Sequence, residues 1–445
     1  MVERSTLEEK GRQPTGGPGL APYLHLALDA AAPWRPPRRF GLADVEAVVI
    51  GRGRASGQPR AGGQLAIGLE DPRVSTEHAR LERALDRRWQ VRDLGSLNGL
   101  RVNGRPVSRA NLSDGDVLEV GRTFLVFRAA QRAGLADLAA VEDTPSLKPE
   151  LEAQFAELRA MSRAGVPIVV DGEPGVGKEL VARLAHQHSG RRGALVSVNC
   201  GALPAELMTS QFFGSLKGAF SGATEDRPGL ARAAHQGTLF LDEVGELPLT
   251  AQPVLLRLLQ ERQVVPVGGI HPVPVDLLLV CATNRDLAGL VREQRFRLDL
   301  LARLSGFSFS LPPLRERRED LGLMVRALLR RLGQPELTLS AEAARALFAC
   351  PWPMNVRQLE RALQVAVALT VGDTLEAAQL PASVLATAAD TLEPEAEALR
   401  RELLGHLEAH RGNLSAVARA LGRPRMQVHR LVARLGLDPG QFRGR

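Results

Sequence analysis

The sequence predicts a multi-domain protein with an N-terminal β sandwich, a central α/β domain with a helical lid, and a C-terminal all-α domain. From about residue 22 to 128, short apolar strands are separated by frequent turns, as in a sandwich. From about 151 to 314, apolar strands alternate with helical segments, which favours a parallel sheet. Residues 316–385 have a helical pattern throughout, and the C-terminal part is helical and basic.

The composition is that of a globular chain. Hydrophobic residues make up 44% of the 445 residues and charged residues 24%, which excludes a wholly disordered protein, a collagen-like fibre and a small disulfide-held domain. The sequence contains no apolar stretch of about 18 residues, and the N-terminus has no apolar signal region. We therefore expect a soluble cytoplasmic protein with no membrane partner. Cys200, Cys281 and Cys350 are far apart and are expected to be buried free thiols.

The charge is concentrated at the C-terminal end. The net charge is +7, and residues 410–445 contain eight arginines and one acidic residue, so the rest of the chain is neutral. This distribution favours a polyanion as the partner of that end, with a solvated arginine-rich surface as the alternative. The chain has only four lysines, and two of them, Lys178 and Lys217, lie in motifs described below.

Changes in pattern along the chain predict its division into domains. The segments are a flexible tail (1–19), the sandwich (20–129), a linker (130–148), the α/β subdomain (149–315), the lid (316–385), a second linker (386–397) and a helix-turn-helix domain (398–445). Trp89–Asp93 and Thr238–Leu241 are examples of the expected strands. Asn98-Gly99 and Asn103-Gly104 predict tight turns within the sandwich.

Polar loop segments in the sandwich indicate a phosphate-binding site. They are Gly51-Arg52, Ser75-Thr76-Glu77-His78 and Gly95-Ser96-Leu97-Asn98-Gly99, followed by Val102-Asn103-Gly104 and Leu112–Asp116. In this order and spacing they resemble a forkhead-associated (FHA) domain, a family that binds phosphothreonine peptides through loops at one end of a β sandwich. The resemblance implies that Arg52 and Ser75 bind the phosphate, Asn98 holds the peptide backbone and His78 braces the loop. The alternative is a protein–protein spacer in which Arg52 and His78 only cap loops.

A glycine-rich loop follows an apolar strand in the α/β region and opens a helix, as a P-loop requires. Its residues are Gly172, Glu173, Pro174, Gly175, Val176, Gly177, Lys178 and Glu179. The glycines allow backbone amides to cradle phosphates, and Lys178 would bridge the β- and γ-phosphates of ATP. A purely structural glycine-rich loop is the alternative.

Two adjacent carboxylates end a later strand and strengthen that interpretation. Asp242 would hold Mg²⁺, directly or through water, and Glu243 would polarise the attacking water. A solvated strand end is the alternative, but the pairing with a P-loop argues against it. Asn284, at the end of a further apolar strand, would sense the γ-phosphate.

A surface-loop motif points to one family. The segment contains Gly218, Ala219, Phe220, Ser221, Gly222 and Ala223. With the P-loop and the paired carboxylates, it resembles the AAA+ ATPase domain of bacterial sigma-54-dependent transcription activators, in which this loop grips the sigma factor. An exposed aromatic on a glycine-hinged loop more often marks a contact than an incidental side chain. The resemblance spans about residues 150–385.

The resemblance also implies roles for residues elsewhere in the domain. Asn199 would hold the catalytic Glu243 in an inactive pose. Arg297 and Arg303 would act as arginine fingers that reach the γ-phosphate of a neighbouring subunit in a homo-oligomeric ring, expected to be a hexamer. Arg357 would contact the nucleotide from the lid, and the family commonly has a glutamate at the position of Glu179.

The C-terminal segment resembles the Fis-type DNA-binding end of the same family. Three helical stretches are separated at Gly412-Asn413 and Gly422, which is a helix-turn-helix layout. A helical dimerisation hairpin is the alternative, but the positive charge favours double-stranded DNA. The candidate base and phosphate contacts are Arg425, Gln427, His429 and Arg430.

Together these features predict a sigma-54-dependent activator that hydrolyses ATP in a ring, remodels sigma-54 RNA polymerase, senses a phosphothreonine-containing protein and binds enhancer DNA. One alternative is an ATP-binding DNA-binding regulator that does not remodel sigma-54. Another is an FHA scaffold whose ATPase ring acts on other clients.

Overall fold

The computed structural model describes most of the chain. The described residues are 19–53, 57–60, 63–84, 88–132, 146–202, 205–219, 223–386, 403–410, 412–421, 428, 432, 437 and 439–442. Seven of the predicted contact residues lie outside this set. They are Phe220, Ser221 and Gly222 of the surface loop and Arg425, Gln427, His429 and Arg430 of the C-terminal segment.

The N-terminal part is a sandwich of two β sheets, as predicted. Its strands are β1 Leu20–Asp29, β2 Arg38–Gly41, β3 Ala47–Arg52, β4 Gly57–Arg60, β5 Gln64–Leu69, β6 Ala79–Arg83, β7 Trp89–Asp93, β8 Leu100–Val102, β9 Arg105–Val107, β10 Arg109–Asn111, β11 Val117–Val120 and β12 Thr123–Arg132. One sheet has the order β2-β1-β12-β11-β8-β9 and the other β10-β7-β6-β3-β5-β4. Apolar residues of both sheets, including Ile50, Leu81 and Leu125, are buried between them.

Asn103 and Gly104 form the turn of a β hairpin in this sandwich. Asn103 and Gly104 both have positive φ, 50° and 76°, and they connect β8 to β9. Both central residues of a two-residue hairpin turn of this kind need positive φ, and Asn and Gly reach it at the lowest cost. The tight turn predicted from this pair is therefore present.

The central part is an α/β domain with a five-stranded parallel sheet. Its strands are β13 Ile168–Asp171, β14 Leu195–Asn199, β15 Thr238–Asp242, β18 Leu278–Thr283 and β19 Phe307–Ser310, with a short antiparallel pair, β16 Gln263–Val264 and β17 Val273–Pro274. Its helices are α1 Pro149–Ala164, α2 Lys178–His188, α3 Ala205–Phe213, α4 Gly229–Ala233, α5 Gln252–Glu261, α6 Leu287–Arg292 and α7 Leu298–Leu304. The sheet order is β14-β15-β18-β13-β19.

The lid is mostly helical. It contains α8 Leu321–Arg331, α9 Ala341–Ala349 and α10 Asn355–Leu369, and residues 382–386 are also helical. The expectation of a wholly helical lid is wrong in one detail, because β20 Thr338–Leu339 pairs in parallel with β21 Thr374–Leu375. These strands are two residues long, so they leave no alternating pattern in the sequence.

The described residues of the C-terminal segment are mainly helical. Residues 403–409 form one helix and Leu414–Ala420 another. Asn413 caps the second helix, because its side-chain oxygen accepts hydrogen bonds from two backbone amides of the first turn. A small buried cluster joins the two helices and contains Leu403, Leu407, Val417, Val428 and Val432. The complete helix-turn-helix stays a prediction.

Candidate nucleotide and phosphopeptide sites

The sheet order brings the predicted nucleotide-binding residues to one edge. The glycine-rich loop follows β13, Asp242 ends β15 and Glu243 follows it, and β18 lies between these two strands. The carboxyl ends of the three strands are in register: Asp171 pairs with Thr283, and Leu241 pairs with Cys281. Ligands of open α/β sheets bind at this carboxyl edge. The edge therefore carries both motifs.

Lys178 lies inside the glycine-rich loop. Its ammonium group donates hydrogen bonds to the carbonyl oxygens of Gly172, at 2.7 Å, and Glu173, at 3.2 Å. Burial lowers its pKa, and the neighbouring Asp242 and Glu243 carboxylates oppose that shift. Lys178 is the first residue of α2. Phosphate oxygens bound by its side chain would therefore lie at a helix N-terminus. These donors fit the phosphates of a nucleotide.

The glycine-rich loop lies directly against the lid. Gly175 has a φ of 73°, and an added Cβ would lie 3.0 Å from the Cβ of Arg357 and would overlap the carbonyl oxygen of Met354. The backbone amide of Arg357 donates to the carbonyl oxygen of Gly175 at 3.1 Å. The structure thus brings the predicted lid arginine beside the loop, with its side chain exposed.

Glu173 connects the loop to the lid through two residues to which the sequence assigned no role. Its carboxylate accepts hydrogen bonds from Arg315, at 2.9 and 2.5 Å, and from Asn355, at 3.0 Å. These bonds lower the pKa of Glu173 to about 2. Asn355 is fully buried and has a φ of 54°, a conformation that asparagine tolerates better than most residues. That tolerance is the one signal that could have identified it.

The carboxylate pair adopts a constrained geometry. Burial raises the pKa of Asp242, and the nearby Lys178 ammonium opposes that shift. Glu243 has a φ of 56°, so its backbone lies in the left-handed region. Non-glycine residues pay for such a conformation, and strained backbone is concentrated at functional sites. A short 3-10 turn, Val244–Glu246, follows directly.

Asn199 lies close to Glu243 without bonding it. Its side-chain oxygen accepts hydrogen bonds from the amides of Gly201, at 2.9 Å, and Ala202, at 3.1 Å. A Cβ added at Gly201 would lie 2.8 Å from a Glu243 carboxylate oxygen and 3.4 Å from the Asn199 oxygen. Both side chains therefore lie against Gly201.

The remaining predicted residues of this domain are exposed. Arg297 forms a bidentate ion pair with Asp299, at 3.0 and 2.7 Å, at the start of α7. Arg303 and Asn284 are exposed, and Glu179 pairs with Arg183 one helical turn away at 2.7 Å. Since Glu179 points to solvent, Asp242 is the better candidate for a magnesium ligand. Magnesium in such sites is held largely by phosphates and water, so one carboxylate suffices.

The base of the surface loop is closed by backbone contacts. The amide of Gly218 donates to the carbonyl oxygen of Ala223 at 2.8 Å, and the amide of Lys217 donates to Asp226 at 2.7 Å. Ala219 lies against Gly268. The tip of the loop, at Phe220, Ser221 and Gly222, lies outside the described residues.

The four predicted phosphopeptide residues converge at one end of the sandwich. His78 is fully buried and joins two loops, because its ring nitrogens contact the Ser75 amide, at 3.2 Å, and the Gly99 carbonyl oxygen, at 3.1 Å. The Arg52 amide donates to the Ser75 carbonyl oxygen at 2.9 Å, and Arg52 is exposed. The Asn98 side chain also lies at this rim.

Two features are absent from the described residues. No group of three or more His, Cys, Asp or Glu residues in this part of the chain could hold a metal ion. Among the same residues, no helix is both long and apolar enough to cross a membrane. Cys200, Cys281 and Cys350 are buried free thiols, as expected.

Three family models match the chain. Residues 146–310 match the sigma-54 interaction domain, residues 315–397 the AAA+ ATPase lid domain, and residues 48–121 the FHA domain. The fold and the site thus define an AAA+ protein with an N-terminal FHA domain.

Curated relatives identify the family. The response regulator protein PilR of Pseudomonas aeruginosa is 42% identical over 306 residues, which cover 65% of this chain and 69% of PilR. The nitric oxide reductase transcription regulator NorR1 of Cupriavidus necator is 42% identical over 313 residues, covering 63% of this chain and 61% of NorR1. The chain belongs to the family of sigma-54-dependent transcription activators.

One solved structure matches part of the chain. NtrX from Brucella abortus, crystallised in complex with ATP, has 30% sequence identity and a TM-score of 0.48, and the match covers 66% of this chain and 69% of that one.

Proposed function

We propose that this protein is a transcription activator that hydrolyses ATP in a ring and uses the energy to remodel sigma-54 RNA polymerase. The observation that carries the proposal is the convergence of Lys178, Asp242 and Glu243 at one sheet edge, in a chain that also contains the surface loop Gly218–Ala223. An ATPase site and a sigma-contact loop in one domain are the two parts that such a motor needs. Family membership supports the same assignment.

The chemistry follows from the positions of these side chains. The Lys178 ammonium would exchange its two loop carbonyl partners for oxygens of the β- and γ-phosphates. Asp242 would hold Mg²⁺, which neutralises charge on the phosphates when bound. Glu243 would orient and polarise the attacking water, and Asn284 would contact the γ-phosphate. Asn199 would hold Glu243 away from the water once a shift of the turn at Gly201 brings the two side chains together.

Ring assembly would complete the site. Arg297 and Arg303 lie at either end of α7 and are exposed to a neighbouring subunit, although Arg297 would first have to exchange its ion pair with Asp299. An arginine supplied in trans neutralises charge in the transition state and makes hydrolysis depend on assembly, for which we propose a hexamer. Arg357 would contact the nucleotide of its own subunit, because its backbone is bonded to the P-loop.

The two ends of the chain would bind a phosphorylated protein and DNA. Arg52 and Ser75 would bind the phosphate of a phosphothreonine-containing protein, Asn98 would hold the peptide backbone, and the buried His78 would keep the two loops together. Arg425, Gln427, His429 and Arg430 would contact enhancer DNA from a helix-turn-helix domain, a role supported by the basic C-terminal end.

ATP hydrolysis and sigma-54 binding test the proposal together. The full chain is assayed for ATP turnover, and for binding of purified sigma-54 in the presence of ADP with aluminium fluoride, a transition-state analogue. The proposal predicts both activities. Turnover without sigma-54 binding would favour a ring acting on other clients, and ATP binding with neither activity would favour a non-remodelling DNA-binding regulator.

A further inference from the structure

The FHA sandwich and the lid share one hydrophobic core. The aromatic rings of Phe124, on β12, and Phe348, on α9, stack with centroids 5.1 Å apart and planes 7° from parallel. Ala27, on β1, and Val325, on α8, belong to the same buried cluster. At Gly322, also on α8, an added Cβ would overlap the carbonyl oxygen of Ala27. The outer face of the β1–β12 sheet is therefore covered by the lid.

A buried ion pair fixes the position of this interface. The Arg128 guanidinium, on β12, donates to a Glu319 carboxylate oxygen at 3.1 and 2.6 Å, and Gln131 donates to the other oxygen at 3.3 Å. Glu319 is fully buried. Removal of one partner would leave a buried charge uncompensated, so the pair opposes any shift of one domain against the other. Arg345, on α9, forms a second bidentate pair with Glu119, on β11.

The segment that receives Arg128 also contacts the P-loop. We call residues Leu314–Asp320 the coupling segment. On one side, Arg128 donates to the backbone carbonyl of Glu316 at 2.9 Å. On the other side, Arg317, which is buried, donates to the carbonyl oxygen of Val176 at 2.9 Å. Glu316 and Arg317, which are neighbours in the coupling segment, thus contact different domains.

A second connection leads from the phosphopeptide loops to the lid. Asp71 lies in the loop that carries Ser75, and its carboxylate accepts a hydrogen bond from the amide of Arg122. The Arg122 carbonyl accepts from the amide of Ala30 at 2.9 Å, and the Ala30 carbonyl accepts from the amide of Leu339, on β20, at 2.8 Å. The rim that would bind phosphothreonine is therefore hydrogen-bonded through to the lid.

We propose that the FHA domain and the lid act as one body that positions the P-loop, so that phosphopeptide capture and nucleotide binding are coupled through the coupling segment. The proposal rests on the nucleotide and phosphopeptide binding proposed above and adds how the one regulates the other. Coupling between two sites is reciprocal: a peptide that changes nucleotide affinity must have its own affinity changed by nucleotide to the same degree.

The substitution Gly322→Ala tests this by forcing β1 and α8 apart in the full chain. Alanine has the higher helix propensity, so a harmful effect must come from the overlap with Ala27. Gly405→Ala is the matched control, because this helical glycine has open space around the added Cβ. The proposal predicts at least about a fivefold rise in the Kd of a fluorescent ADP analogue for Gly322→Ala and none for the control.

A second pair of variants keeps the test decisive if Gly322→Ala does not fold. Arg128→Gln removes the buried ion pair and should also weaken ADP binding. Arg80→Gln, which removes an ion pair with Glu82 in the other sheet, should not. In wild type, ADP should slow hydrogen exchange at the amides of Arg122 and Leu339.

The outcomes separate the two proposals. If wild type binds no ADP analogue, the proposed ATPase function fails and the coupling fails with it. If wild type binds ADP, the variants decide the coupling. Faster hydrogen exchange of the β1 and α8 amides in Gly322→Ala or Arg128→Gln, together with wild-type affinity for ADP, would overturn the coupling alone.

Discussion

At the residue scale, the candidate nucleotide site contains two half-buried groups of opposite charge, Lys178 and Asp242. Burial lowers the pKa of Lys178 and raises that of Asp242, and each group's charge opposes the shift of the other. The lysine and the aspartate therefore stabilise each other's ionised form. The two carboxylates differ in environment: Asp242 has the larger electrostatic effect on the lysine, and Glu243 has a left-handed backbone conformation.

Variants at this site should separate binding from chemistry. Lys178→Ala should weaken ATP binding by about 2 kcal/mol or more, because a charge-assisted contact to phosphate is lost. Glu243→Gln should bind ATP with near-normal affinity and reduce turnover about 10²-fold or more, because a general base is lost. Titration with a fluorescent nucleotide and a phosphate-release assay measure the two quantities. Wild-type turnover by Glu243→Gln would rule out its assigned role.

His25 should make stability depend on pH. It is fully buried and bonded to Gln131 at 2.9 Å; burial lowers its pKa to about 4, and the nearby Glu319 carboxylate opposes the shift. The unfolded chain takes up a proton near pH 6.5 and the folded chain only near 4. The free energy of unfolding should therefore fall as pH drops through this window, by up to about 3 kcal/mol.

Asp320 acts in the opposite direction nearby. Burial raises its pKa to about 6, so its protonation favours the folded state between about pH 6 and 4. The difference between wild type and His25→Gln therefore isolates the histidine. Urea unfolding at pH 7.5 and 5 should show a smaller loss of stability in His25→Gln than in wild type, and equal losses would contradict the account.

At the element scale, most strands follow from apolar runs bounded by turn residues. Trp89–Asp93 is predicted and found, and the predicted Thr238–Leu241 is found as Thr238–Asp242. The contact of Asn355 with Glu173 could not be predicted, because it joins residues 182 positions apart that share no periodic pattern. The short β20–β21 pair escaped detection because its formation depends on tertiary contacts.

The phosphopeptide loops offer a test at this scale. Arg52→Ala should abolish binding of phosphothreonine peptides while leaving the thermal stability of the sandwich nearly unchanged, since an exposed loop arginine contributes little to the core. A diverse phosphothreonine peptide library, with unphosphorylated copies as controls, measures the binding. If wild type shows no phosphate-dependent binding, the domain is better described as a spacer.

At the scale of the whole molecule, the interface between the FHA domain and the lid was not foreseen. A signal was available, because β1 is buried along nearly its whole length instead of at alternate residues. A strand buried on both faces has a nearly continuous apolar sequence, and residues 23–32 have that character except at His25 and Asp29. The sequence could thus have indicated a second covering layer, but not that the lid supplies it.

Subunit mixing tests the proposed ring. Arg303→Ala subunits retain Glu243, and Glu243→Gln subunits retain Arg303, so a mixed interface can contain both residues. Mixing the two inactive proteins should restore part of the ATP turnover, because the finger acts in trans. Turnover by a dilute sample shown to be monomeric would contradict this arrangement.

Binding of purified sigma-54 in the presence of ADP and aluminium fluoride tests the central claim most directly. Wild type should bind, and Phe220→Ala should bind at least about 30-fold more weakly, since a buried aromatic anchor can contribute about 2 kcal/mol or more. ATP turnover by Phe220→Ala should stay near wild type, and Ser221→Thr, the matched variant of the next residue, should keep binding. Equal binding of sigma-54 by Phe220→Ala and wild type would contradict the account.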